Sequence, residues 1–179
     1  MRRKVGGFTL LDFLISIGIV AVLLGMAVPA WSTVSEAAHT SAAQSALFGS
    51  LTRSISHAAL TGSEVVLCPG DAGGCRASID WSAGWIAYAD IDGNRARGAN
   101  ETLLYQEPQL GGKVHLRSTP GRTRLVFQPN GGNAGSNVTF TLCDGRGADK
   151  ATTLVLANDG RLRASKPTPA AALACMQAM

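Results

Sequence analysis

The chain has 179 residues, 46% hydrophobic and 16% charged, with 21 glycines and a formal net charge of +4. That apolar content excludes a disordered chain, the single long apolar run excludes a polytopic membrane protein, and glycine without a triplet period excludes collagen. What remains is one Gly-rich globular domain joined to one hydrophobic segment.

In chain order, Arg2, Arg3 and Lys4 precede an apolar run of 24 residues, 8–31. At 1.5 Å per helical residue such a run spans ~30 Å of hydrocarbon. Three readings compete: a cleaved signal peptide, a plain anchor with its basic end in the cytoplasm, or a membrane helix that also employs Asp12. A carboxylate within a membrane helix costs roughly 2.5–3.5 kcal/mol, so it is rarely idle. The first two readings have no use for it. Residues 35–60 are rich in Ala, Ser and Leu, and Ala43, Ala46, Leu47, Leu51, Ile55, Ala58 and Ala59 recur at i, i+3, i+4 spacing. The spacing predicts a continuing helix that buries one stripe against a sheet and stops at Gly62.

Beyond Gly62 the period shortens. Strands are predicted at residues 64–67, 85–89, 114–117, 124–127, 137–142 and 152–156, separated by turns such as Asn130-Gly131-Gly132 and Asn158-Asp159-Gly160. No crossover helix lies between them, so the expectation is an antiparallel α+β head of six or seven short strands. From Ser165 onward the tail reads as a peripheral loop unless Cys175 fixes it.

The four cysteines, Cys68, Cys75, Cys143 and Cys175, form no C-x-x-C, and the histidines His39, His57 and His115 lie apart from them in sequence. A zinc site is therefore a poor reading, and disulfides in an oxidising compartment a better one. Of the three possible pairings we favour Cys68–Cys75 closing a Gly-rich loop and Cys143–Cys175 tying down the tail. Asp90, Asp92 and Glu101 faintly suggest a calcium loop, but Arg95 and Arg97 intrude, and a polar hairpin fits better. Trp81 and Trp85 are expected to pack against the helix. No spacing supports a nucleophilic triad, so neither an enzyme nor a bound metal or cofactor is expected.

Charge is segregated. Residues 37–112 hold four basic and seven acidic side chains, whereas residues 113–179 hold nine basic and three acidic ones, a net +6. Such a lobe suits a polyanion as well as it suits a solvated face. Within it Gly-Arg-x-Arg occurs twice, at Gly121-Arg122-Thr123-Arg124 and Gly160-Arg161-Leu162-Arg163. In an extended segment residues i and i+2 point the same way, so two guanidinium groups project about 7 Å apart, near the spacing of adjacent phosphates. Alone, this pattern also fits ordinary surface charge.

The N-terminal sequence Gly6-Gly7-Phe8-Thr9-Leu10-Leu11-Asp12 resembles the type IV prepilin motif. The resemblance implies a leader of residues 1–7, cut after Gly7 by a prepilin peptidase, and N-methylation of Phe8. It also implies an assembly role for Asp12, which stands where the family usually carries Glu, and a helix kink at Pro29. Head segments extend the likeness: Val66-Leu67-Cys68-Pro69, Trp81-Ser82-Ala83-Gly84-Trp85-Ile86, Phe127-Gln128-Pro129-Asn130-Gly131 and Phe140-Thr141-Leu142-Cys143-Asp144-Gly145. Together they resemble the FimT/FimU/GspH family of minor pilins and pseudopilins, nearest to FimT. The implied fold is the type IV pilin fold: a transmembrane and assembly helix at 8–34, its amphipathic continuation at 35–61, and a β-rich head at 62–179. Implied partners are other minor and major pilins and the inner membrane, with a periplasmic head that later joins an extracellular pilus. In FimT-type pilins the second Gly-Arg-x-Arg binds DNA for natural transformation. That carries over to Gly160, Arg161 and Arg163, with Lys166, Arg146 and Lys150 extending the patch. A FimU-like structural minor pilin or a GspH-like pseudopilin of type II secretion is the alternative.

Overall fold

A computed structural model describes residues 9–178, apart from the side chains of residues 28–30. The expected leader, Gly7, Phe8 and the Pro29 ring therefore lie outside the described residues. The chain divides into two compact units, Met1–Ser35 and Glu36–Met179, and helix α1 (Leu10–Thr61) contributes to both.

Within the first unit the helix is apolar on every side. Leu10, Phe13, Ile17, Val20 and Leu24 are all more than half exposed. A helix apolar all round is suited to lipid or to packing among other helices, and this one is long and apolar enough to cross a membrane.

In the second unit α1 buries a stripe formed by Thr40, Ala43, Leu47, Ser50, Leu51, Ser54 and Ala58. The stripe meets two antiparallel sheets. The first has the order β2 (Gly74–Cys75), β1 (Glu64–Asp71), β3 (Trp85–Asp90), β4 (Leu103–Glu107), with β6 (Leu125–Phe127) on the other side of β1. The second runs β5 (His115–Ser118), β7 (Val138–Cys143), β8 (Thr152–Leu156), β9 (Leu162–Ser165). Leu47 and Leu51 share one core with Trp81, Trp85, Phe127 and Phe140. Trp85 meets the helix as expected, its indole N–H donating to the Ser50 hydroxyl at 3.0 Å, whereas the Trp81 indole N–H donates to the Ser118 hydroxyl of the second sheet at 3.1 Å.

Besides the two-residue β2 and a 3-10 turn at Ala148–Lys150, three elements differ from the sequence reading. β4 was missed because Leu103-Leu104-Tyr105 does not alternate; it adds as an edge strand whose register on β3 shifts at Ala87/Tyr88. β9 is a genuine strand, registered on β8 through Val155–Arg163 and Leu156–Leu162. The tail is a helix, α2 (Pro169–Met176), rather than a loop. Thr168 caps it by accepting from the Ala171 amide at 3.2 Å, and Pro169 fills its first turn. Disulfides join Cys68 to Cys75 and Cys143 to Cys175, the second clamping α2 onto β7.

Candidate nucleic-acid interface

The second Gly-Arg-x-Arg segment is built by the turn between β8 and β9. Gly160 adopts φ +83° there, and a Cβ at this position would stand 2.6 Å from the Gly131 carbonyl oxygen. The neighbouring turn is held by a bond from the Asn133 amide to the Asn158 carbonyl at 2.8 Å. Leu162 then packs against the shared core. Strand alternation sends Arg161 and Arg163 the other way, and both are exposed.

The two arginines are not equivalent. Arg161 pairs with Asp159 at 2.7 Å while its side chain remains 80% exposed. The Asp159 carboxyl sits below its ordinary value, chiefly because it accepts the Arg161 backbone amide and also because the guanidinium is near. Sequence reasoning overlooked this counter-ion, although it lies two residues away. Arg163 has no ion-pair partner among the described residues, and neither has Lys166, which follows the end of β9.

Arg146 and Lys150 do not join this patch. They lie in the β7–β8 connection, and an antiparallel hairpin puts that connection at one end of β8 and the Gly160 turn at the other. Arg146 is committed elsewhere: it donates to both oxygens of Asp144, at 2.7 Å in the closest contact. Asp144 is fully buried and also accepts the Thr40 hydroxyl of α1. Burial pushes the Asp144 carboxyl up, but the bonds from Arg146 and Thr40 outweigh it and hold the group below its ordinary value. This contact anchors the helix to the second sheet.

The first Gly-Arg-x-Arg segment points differently. The Arg122 guanidinium lies against Gly135 and the Ala134 carbonyl, with a buried Nε, and burial lowers its pKa. Arg124 donates to the Arg95 carbonyl at 2.9 Å. Of the two segments, only the second presents both of its arginines exposed on one side of the strand.

Two carboxylate features complete the picture. Side-chain oxygens of Asp90, Asp92 and Glu101 lie within 4.8 Å of one another. Asp90 accepts the Gly93 and Arg95 amides, Asp92 that of Asn94, and Glu101 those of Ile91 and Gly98, so all three organise the hairpin. At the start of α1, Thr9 and Asp12 cap each other. The Asp12 amide donates to the Thr9 hydroxyl oxygen at 3.3 Å, and the Asp12 carboxylate accepts the Thr9 amide at 3.1 Å. This is a capping box, legible in the sequence as Thr-x-x-Asp.

The family profile of the type II transport protein GspH matches residues 43–160. Among solved structures, the type IV minor pilin FimU of Pseudomonas aeruginosa matches in two crystal forms. One aligns at 17% identity and TM-score 0.56 over 70% of this chain and 91% of that one. The other aligns at 16% identity and TM-score 0.59, over 75% and 92%. The minor pseudopilin EpsH of the Vibrio cholerae type 2 secretion system matches at 14% identity and TM-score 0.51, covering 72% of this chain and 98% of its own. No curated protein matches the chain. With about two thirds of its length inside the family profile, and the type IV pilin fold shared with FimU and EpsH, the chain belongs to the GspH family.

Proposed function

We propose that this minor pilin binds DNA without sequence preference through the β8–β9 turn, as a receptor for incoming strands in natural transformation. The observation that carries the reading is the exposed Arg163, unpaired among the described residues, beside Arg161, both turned outward by the half-buried Leu162 between them. Arginine forks suit phosphate geometry, and phosphate contacts position a strand without reading its bases. The test is a mobility-shift titration of the full chain, in non-ionic detergent, against salt. Affinity should fall with a slope of about −0.9 per phosphate contacted, and Arg161→Gln with Arg163→Gln should shrink that slope by about two units. Asp159→Asn, which removes the counter-ion at Arg161, should tighten binding. A double variant that binds as the native chain does would leave the second reading, a structural minor pilin that only contacts other pilins. The Arg161–Asp159 pair favours that alternative, because it halves the uncompensated charge at the turn.

The same reading takes residues 1–7 as a leader removed by a prepilin peptidase, Phe8 as the methylated new terminus and Asp12 as its assembly partner in a filament anchored first in the inner membrane. Intact mass of the native protein tests it: loss of residues 1–7 plus one methyl group supports the leader, and a start at Trp31 refutes it.

A further inference from the structure

A second group of arginines, absorbed neither by the pilin fold nor by the β8–β9 turn, converges on a recess of about 360 Å³ beside the Cys68–Cys75 disulfide. Its walls include Arg76 from the segment after β2, Arg95 and Arg97 from the β3–β4 connection, and Arg124 immediately before β6. Three separate stretches of chain therefore deliver four guanidinium groups to one concavity.

Their charge is poorly compensated. Among the described residues only Arg95 has a carboxylate within ion-pair reach, Glu64 at 3.8 Å. Arg97 donates to the Ala72 carbonyl and Arg124 to the Arg95 carbonyl, which are neutral acceptors, and the Arg97 Nε is buried with no acceptor at all. The nearby Asp71, Asp90, Asp92 and Glu101 keep their negative charge but direct their oxygens at backbone amides rather than at the guanidinium groups. None of them lines the recess. Arg95 is also the one described non-glycine residue with positive φ, at +59°. A left-handed backbone disfavours any side chain, yet here it carries a guanidinium to the rim.

We infer that this recess is a phosphate-binding site. Four arginines around one concavity, three of them with no carboxylate in ion-pair reach among the described residues, suit a multiply charged anion. A carboxylate carries one charge on two oxygens, whereas a phosphoryl group offers more charge and three acceptor oxygens in the geometry that arginine forks match. The phosphate comes either from a nucleic-acid strand, in which case the inference rests on the DNA-binding reading above, or from a free phosphate compound, in which case it stands alone.

The experiment is a titration of the full-length chain, in non-ionic detergent, with pyrophosphate, following the arginine Nε–H resonances by NMR. The signals of Arg76, Arg95, Arg97 and Arg124 should shift together and saturate with one dissociation constant. Arg76→Gln with Arg124→Gln should raise that constant by about tenfold or more, as expected for two lost charge-assisted bonds. Arg76→Gln alone should raise it several-fold; its side chain has no partner among the described residues, so this variant keeps the test valid if the double variant melts early. Arg161→Gln with Arg163→Gln should leave the constant unchanged, whatever it does to DNA affinity. A 30-base-pair duplex that shifts the same four signals identifies a strand as the source; a response to pyrophosphate alone identifies a free phosphate. Shifts that rise linearly without saturation, that are equal at Arg161, or that survive in both variants overturn the inference. The DNA-binding reading fails separately, on an unchanged salt slope in the variant at 161 and 163.

Discussion

Gly160 and Gly121 form a natural pair of controls, because both open a Gly-Arg-x-Arg segment and both have φ +83°. An alanine at either site meets the same left-handed penalty, roughly 1–2 kcal/mol. At Gly121 nothing lies within 4 Å of the added methyl, so the penalty stands alone. At Gly160 the methyl would meet the Gly131 carbonyl oxygen at 2.6 Å, and that oxygen belongs to a turn rather than to a flexible side chain. One turn must move against the Asn133–Asn158 hydrogen bond, adding about 1–3 kcal/mol in the range of other overpacking substitutions. Gly160→Ala should therefore cost about 3 kcal/mol and Gly121→Ala about 1.5. At about 3 °C per kcal/mol for a domain of this size, the melting temperatures should fall by about 9 °C and 4–5 °C. Thermal melts by circular dichroism read both values. Equal losses would refute the argument that the two turns brace each other. If DNA binds at this turn, Gly160→Ala should also weaken it while Gly121→Ala should not.

Two further expectations follow from the fixed points of the head. Replacing Cys143 and Cys175 together by serine releases a sequence separation of 32 and should cost about 3–4 kcal/mol, against about 2.5 for the separation of 7 at Cys68 and Cys75. Since α2 buries only Ala172 and Cys175, amide hydrogen exchange along α2 should accelerate selectively in the first variant; uniform exchange across the head would contradict this. The Asp144 contact predicts a pH signature. Its folded pKa lies below the unfolded value of about 3.9, so its contribution is present above that value and is lost as pH falls through the folded one. Arg146→Gln leaves a buried carboxylate with only the Thr40 hydroxyl and the backbone amide of residue 146, and no counter-charge, which should cost about 3 kcal/mol near neutrality. The penalty should shrink as acid neutralises that carboxylate, and a penalty independent of pH would count against the pairing.

Much of this architecture was readable from periodicity. The stripe at Ala43, Leu47, Leu51 and Ala58 anticipated the buried face of α1, and the shift to short alternating runs anticipated the sheets. The serines of that stripe were not anticipated, because hydrophobic spacing assigns Ser50 and Ser54 to no face. They are buried because Trp85 and Tyr105 reach over from the sheet to bond them. β4 lacked a period because its side chains are half-buried on both faces. The cap of α2 was legible at Thr168-Pro169 but obscured by the prolines around it. In the candidate site, the turn and the alternation of Arg161 and Arg163 were visible locally. Arg146 was misplaced because proximity in sequence to β8 says nothing about which end of a hairpin a residue occupies.

The deeper discrepancy concerns charge. Counting residues 113–179 gives a lobe of +6, yet a count includes every cation whatever its neighbours. Arg146 is neutralised by Asp144 and Arg161 by Asp159. Arg117 lies on the Ala174 carbonyl, Arg124 lies on the Arg95 carbonyl, and Arg122 is packed against Gly135. That leaves Lys113, Lys150, Arg163 and Lys166 exposed without a side-chain partner among the described residues. They are spread over both ends of the second sheet rather than gathered in one patch. Conversely, residues 37–112 carry a net negative count, but three arginines from that stretch meet Arg124 around one recess while the acidic residues beside them bind backbone amides. Free charge, not net charge, governs where a polyanion docks, because an ion pair contributes little field beyond its own length in salt solution. The recess beside the Cys68–Cys75 disulfide gathers four arginines, three of them with no carboxylate in ion-pair reach among the described residues, in a segment whose overall count is acidic. The Gly160 turn binds DNA as its geometry suggests only if Arg163 and Lys166, rather than the whole basic lobe, are sufficient to hold a strand.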